Sequence, residues 1–185
     1  MIPSDHFVRF YNEVFKFLDD KGALDDFYKE ISRHQNLHCL KDFWEKGLRG
    51  MYDYWEHIRI EENCDSEHHL EDGCYWGVMR HCPSLSKAVN NDAGVCPKYC
   101  YHCPGWVIPL FTRTGFYAVF NAISPDVPQC TTHVVETKEA AMDILNRLKA
   151  EGARDDMLFT NIDDETAVEA AKARRLKGLP YDPNA

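Results

Sequence analysis

Apolar residues recur at helical spacing over the first third of the chain. Phe7, Phe10, Tyr11, Val14, Phe15 and Leu18 step by threes and fours, and Gly22 stands where such a helix would stop. This pattern predicts a first amphipathic helix over residues 5–19. Leu24, Phe27, Tyr28 and Ile31 continue the period over a shorter second helix that Asn36 ends. Trp44, Leu48, Met51, Trp55 and Ile58 keep one stripe over a third and longest helix, from Leu40 to Ile60. Gly47 and Gly50 lie inside it, each costing about 1 kcal/mol of helix propensity relative to alanine, and both suit a close packing contact.

The segment from Glu61 to Asp72 is acidic and reads as a solvated connector. Its His68 and His69 match neither the helical nor the strand spacing of a metal-ligand pair. From Gly73 the period becomes two: Cys74, Trp76 and Val78 alternate with Tyr75, Gly77 and Met79, a strand that delivers His81 and Cys82 at its end. Pro83 stops it, Ser84 is placed to cap a short helix to Val89, and Asn90 to Gly94 form a turn. The run Trp106 to Phe111, broken by Pro109, fits helix and strand equally. Phe116 to Ile123 and Cys130 to Glu136 read as neighbouring antiparallel strands joined by the loop Ser124 to Gln129.

Thr137 suits the N-cap of a helix that Gly152 ends, Met157 to Ile162 a last short strand, and Asp163 the cap of a final helix to about Leu176. The tail from Gly178 to Ala185 is expected to be loose or laid over a partner. The expected fold is α+β. An N-terminal helical group (1–62) packs on a small, mainly antiparallel sheet in a Cys-rich part (73–162), followed by a C-terminal helix and tail (163–185), all within one domain of 185 residues.

Composition narrows the function classes. A formal charge of -9 argues against a nucleic-acid partner, which needs a basic face to release counterions. No apolar run approaches the roughly 20 residues of a membrane span, and the first residues carry no secretory pattern. A cytoplasmic protein acting on a small molecule is expected, with a homo-oligomer left open. Eight cysteines in a reducing compartment point to metal ligation or thiol chemistry rather than disulfides. Cys39, Cys64 and Cys74 are isolated and read as small buried hydrophobes.

The other five cysteines set the candidate chemistry. Cys96, Cys100 and Cys103 form a C-x3-C-x2-C set that can aim three thiolates at one centre, with Cys82 or Cys130 as the fourth. Cys82, Cys96 and Cys103 are each followed by proline, as in ferredoxin-type loops, where proline keeps the backbone from becoming helix. A 4Fe-4S iron–sulfur cluster is therefore favoured, with zinc as the alternative, because spacing alone does not separate the two. Tyr99, Tyr101 and Trp106 would shield the centre and shape a pocket. In the metal-free alternative a cysteine acts as nucleophile, with His81, His102 or His133 as base. A third possibility is a non-enzymatic binding module whose metal is structural.

Radical S-adenosylmethionine enzymes share the C-x3-C-x2-C spacing, but this chain lacks the alternating strand–helix pattern of their barrel. A second resemblance is broader. A helical N-terminal part, the strand into Cys82-Pro83, the segment Cys96 to Cys103 and Cys130 opening a late strand together resemble the L-2-amino-thiazoline-4-carboxylic acid hydrolase family over residues 74–136. That resemblance implies hydrolytic ring opening of a small sulfur-containing amino acid derivative, by a thiolate or a metal-bound water.

Overall fold

The computed structural model describes residues 3–34, 39–90 and 94–182, and shows an α+β fold. Helices α1 (Pro3–Asp20), α2 (Leu24–His34), α3 (Leu40–Lys46) and α4 (Leu48–Glu61) precede strands β1 (Asp65–Glu71) and β2 (Cys74–His81). Helix α5 (Pro83–Val89), a 3-10 turn (Tyr99–Tyr101) and α6 (His102–Thr114) lead into β3 (Tyr117–Asn121) and β4 (Cys130–Val135). Helix α7 (Lys138–Ala150), β5 (Leu158–Thr160) and α8 (Glu165–Leu176) complete the chain. The sheet order is β1-β2-β4-β3-β5, and every neighbouring pair is antiparallel.

Helices α4 and α6 cover one face of the sheet and α7 the other. The face under α4 and α6 holds the main core, where Phe43, Met51, Phe111 and Phe116 are fully excluded from solvent and Tyr75 nearly so. Alternation along β2 therefore puts Tyr75 and Gly77 toward α4 and α6, and Cys74 toward α7.

The helix expected from Leu40 to Ile60 is two helices. Gly47 adopts φ +59 and ψ -137, a conformation open to glycine and strained for other residues, and the chain turns there so that α3 packs back on α4. Gly50 is the contact itself, since a Cβ at that position would stand 2.4 Å from the Asp42 carbonyl oxygen. The expected connector at 61–72 is also corrected, because Asp65–Glu71 is edge strand β1. Its inward positions include Ser66 and His68, so no apolar alternation marks it. The available signal was the Asp72-Gly73 pair, which closes a two-residue hairpin with Glu71 opposite Cys74.

Three local assignments shift. Cys82, not Ser84, caps α5, its Sγ accepting from the Leu85 N–H at 3.4 Å. Trp106 to Phe111 is helical within α6: Pro104 lies in the first turn, where no N–H is needed, and Pro109 is tolerated further along. The final helix starts after Asp164 behind a 3-10 turn rather than at Asp163. Thr137 does cap α7, accepting from the Ala140 N–H at 3.2 Å. The tail lies over the chain's own α3, where Trp44 Nε1 donates to the Leu179 carbonyl at 2.9 Å and Tyr181 packs on the Trp44 ring. The expected helix end at Asn36, the centre of the turn at 91–93 and residues 183–185 lie outside the described residues.

Candidate functional site

Three segments bring four thiols toward the same end of the sheet. Cys82 follows the last residue of β2 and caps α5, Cys100 sits in the 3-10 turn, Cys103 is the second residue of α6, and Cys130 opens β4 opposite Met79. Backbone bonds fix the approach: the Cys82 N–H donates to the Pro128 carbonyl at 2.7 Å, tying the end of β2 to the loop that precedes Cys130. The four thiols lie close enough for their charges to act on one another. Burial comes first in holding Cys130 well above the ordinary thiol range, followed by the neighbouring Cys103, Cys82 and Cys100. Cys100 is pushed up to about 12 by burial and then by Cys103 and Cys82, and Cys103 reaches about 12 by burial alone. At neutral pH the metal-free set is therefore four protonated thiols.

Cys96 is not part of this group. It is fully buried under α1 among Phe15, Leu24 and Tyr28, its backbone N–H donates to Asn12 Oδ1 at 2.8 Å, and Asn12 Nδ2 donates to the Gly94 carbonyl at 2.7 Å. The charges that reach its sulfur are Asp19, Lys16 and Lys98, not the other four thiols. The C-x3-C-x2-C spacing is thus divided, with Cys100 and Cys103 in the group and Cys96 acting as an anchor. The proline that follows Cys103 lies within a helix rather than preventing one. Cys39 is buried in the main core, and Cys74 packs in the cluster under α7. Among the described residues, no three His, Cys, Asp or Glu side chains are already positioned around one metal ion.

The three candidate histidines separate. His81 is exposed at the end of β2 and hydrogen-bonded to Ser86 Oγ at 3.0 Å. His133 stacks on Trp76 on the α7 side of the sheet, where burial and the Arg147 charge lower its pKa to about 4. His102 adjoins the thiols. Its Nδ1 bonds the Tyr99 carbonyl, which can only accept, so Nδ1 carries the proton and the lone pair sits on Nε2. That lone pair faces Cys103 Sγ at 3.2 Å, and burial keeps the ring neutral. An imidazole fixed this way is suited to accept a thiol proton or to bind a metal.

The candidate aromatic residues surround this region in different ways. Tyr99 is buried, bonded to Ser84 Oγ at 2.7 Å, and packed edge-on to His102. Tyr101 packs on Phe159 and donates to the Asp156 carbonyl at 3.0 Å. Trp106 packs against His102 and forms part of the wall of a chamber of about 230 Å³ between the sheet and helices α4 and α6. Cys103 and Cys130 open onto the same chamber. Its other walls are Trp55, Val78, Met79, Val107 and Phe120, with Ser66, His68, Tyr75 and Thr132 as the remaining polar groups. Among the described residues, no charged side chain lines it.

Ser66, His68 and Tyr75 form a hydrogen-bonded row along the chamber. His68 Nε2 lies 3.1 Å from Ser66 Oγ, and its Nδ1 lies 2.9 Å from the Tyr75 hydroxyl. Sequence reasoning missed the row because it took residues 61–72, which hold Ser66 and His68, for a connector, leaving Tyr75 on its strand without partners. Once the Asp72-Gly73 hairpin is recognised, pairing puts Ser66 and His68 on the same face as Tyr75.

Compared with known protein families, with curated proteins and with solved structures, the chain matches none of them. No helix among the described residues is long and apolar enough to cross a membrane.

Proposed function

We propose that this protein binds a small molecule in the chamber between the sheet, α4 and α6, and that a metal centre ligated by Cys82, Cys100, Cys103 and Cys130 braces one wall. The carrying observation is the convergence of these four thiols, drawn from three separate segments, with Cys100, Cys103 and Cys130 packed against one buried cluster and Cys103 and Cys130 also facing the chamber. Burying four thiols beside one another contributes little by itself, whereas four thiolates around one cation satisfy the set. With Cys96 elsewhere, one C-x2-C pair and two single cysteines remain. That donor set suits a single tetrahedral zinc and also meets the four-cysteine requirement of an iron–sulfur cluster. A metal with all four positions filled by protein supplies a structural clamp or electron transfer. Closing the side chains around it requires each thiol to lose its proton, so loading is expected to be stronger at higher pH.

The His102–Cys103 pair favours a second reading, that of a thiol hydrolase. Nε2 is placed to take the Cys103 proton, and the Tyr99 carbonyl holds the ring in the required tautomer. Two features weigh against it. Burial raises the Cys103 thiol and lowers His102, which disfavours the ion pair. The chamber also offers no counter-charge to the zwitterionic amino acid derivative implied by the hydrolase resemblance.

The test is metal and acid-labile sulfide content on protein purified without oxygen. One zinc, or iron with sulfide, per chain is the expected result. A folded chain with neither metal would overturn the metal centre and make thiol hydrolysis the activity to assay.

A further inference from the structure

The chamber's polar row indicates what kind of molecule it accepts. His68 is kept neutral by burial, so one ring nitrogen donates and the other accepts. If Nδ1 carries the proton, it donates to the Tyr75 oxygen, Ser66 donates to Nε2, and the Tyr75 O–H remains unspent. If Nε2 carries it, the same count leaves the Ser66 O–H unspent. Either way the row keeps one free donor at one end and acceptor lone pairs at both. It can therefore meet a hydroxyl or a carbonyl without rearranging.

Space for this row is built into β2. Gly77 pairs with His68, and a Cβ there would stand 2.8 Å from His68 Nδ1 and 3.2 Å from the Tyr75 hydroxyl. Glycine is thus the residue that leaves the His68–Tyr75 bond room to form. The carboxylate whose charge reaches the row, Glu56, is held by three hydrogen bonds from Arg59 and lies outside the lining. A ligand would therefore meet aromatic walls, one donor–acceptor row and no formal charge from the described residues.

We infer that the chamber takes a neutral, planar, mainly apolar molecule of the phenol class, one or two fused rings carrying a single hydroxyl or carbonyl, which the Ser66–His68–Tyr75 row holds by that oxygen. Size supports this: an apolar cavity of about 150 Å³ holds benzene, so this larger one accommodates a substituted or bicyclic ring. Carboxylates are disfavoured, because a charge would be desolvated with nothing to pair it. The inference rests on the chamber being the small-molecule site, not on the metal.

The test is calorimetric titration of the full chain with 2-naphthol, naphthalene and 2-naphthoate, with ¹³C-methyl methionine spectra recorded alongside. 2-Naphthol is expected to bind once per chain, about tenfold more tightly than naphthalene and than the carboxylate. The Met79 methyl, on the chamber wall, is expected to shift on binding. Thr132→Phe, which fills the chamber, is expected to abolish binding, and the Met79 signal in the unmodified chain gives an independent reading if that variant does not fold. No binding, equal affinity for 2-naphthoate, or a shift at another methionine with Met79 unmoved would overturn the inference. Metal analysis of the same sample separates the two claims. 2-Naphthol bound to a metal-free chain supports this inference and removes the four-cysteine centre, and metal without 2-naphthol binding does the reverse.

Discussion

Asn12→Leu tests how the cysteine segment is anchored. The Asn12 side chain is fully buried, its Oδ1 accepts from the Cys96 N–H at 2.8 Å, and its Nδ2 donates to the Gly94 carbonyl at 2.7 Å. Leucine has a similar volume and opens no large cavity, so the perturbation is chiefly polar. Gly94 is exposed and its carbonyl can turn to water, whereas the Cys96 N–H stays buried and unpaired. An unsatisfied buried donor costs about 1–3 kcal/mol, and the lost bonds place the expected destabilisation near 2–3 kcal/mol, a large part of the usual 5–15. Urea unfolding would show it as a lower midpoint with an unchanged slope. Cys96 is also expected to alkylate faster, because opening of the 94–100 segment exposes it. A change below about 0.5 kcal/mol, with Cys96 as unreactive as before, would refute the anchoring role.

Two further perturbations test the fold directly. His133 titrates near 4 when folded against 6.5 when unfolded, so the unfolded chain binds more protons between these values, and the stability present above pH 6.5 is lost as pH falls toward 4. The loss between pH 7 and pH 5 comes to about 2 kcal/mol, and His133→Phe is expected to remove that part of the slope in unfolding curves at the two pH values. At Gly47, helix propensity alone predicts that alanine stabilises by about 1 kcal/mol. The positive φ, together with a Cβ 3.3 Å from Phe116 Cζ, predicts destabilisation by about 1–3 kcal/mol instead, so the sign of the melting-temperature change decides whether α3 and α4 are truly separate.

The sequence made the helices and the central strands legible where one face is apolar. The period-three-and-four stripes became α1 and α2, the Thr137 cap and Gly152 stop bounded α7, and the alternation from Cys74 became β2. It failed where polar residues face inward or glycine overrides the stripe. Ser66 and His68 hid β1, and the unbroken stripe from Trp44 to Ile58 gave no sign that Gly47 reverses the chain. The candidate site was half legible. Spacing alone linked Cys96 with Cys100 and Cys103, but the α1 contacts bury Cys96 in a cluster that Cys82 and Cys100 only flank, while Cys103 and Cys130 pack elsewhere. Cys82 and Cys130 come to the same end of the sheet because β2 and β4 pair, with Cys130 opposite Met79, a register that no local spacing encodes. Of the three histidines, only His102 adjoins the thiols, placed there by the turn into α6.

The most direct test of the central claim is metal content per chain across five single variants, Cys82→Ser, Cys96→Ser, Cys100→Ser, Cys103→Ser and Cys130→Ser, each purified without oxygen. Four of them should lose most of the bound metal, and Cys96→Ser should keep it. Loss in Cys96→Ser equal to that in the other four, or metal retained in all five, would contradict the four-cysteine centre.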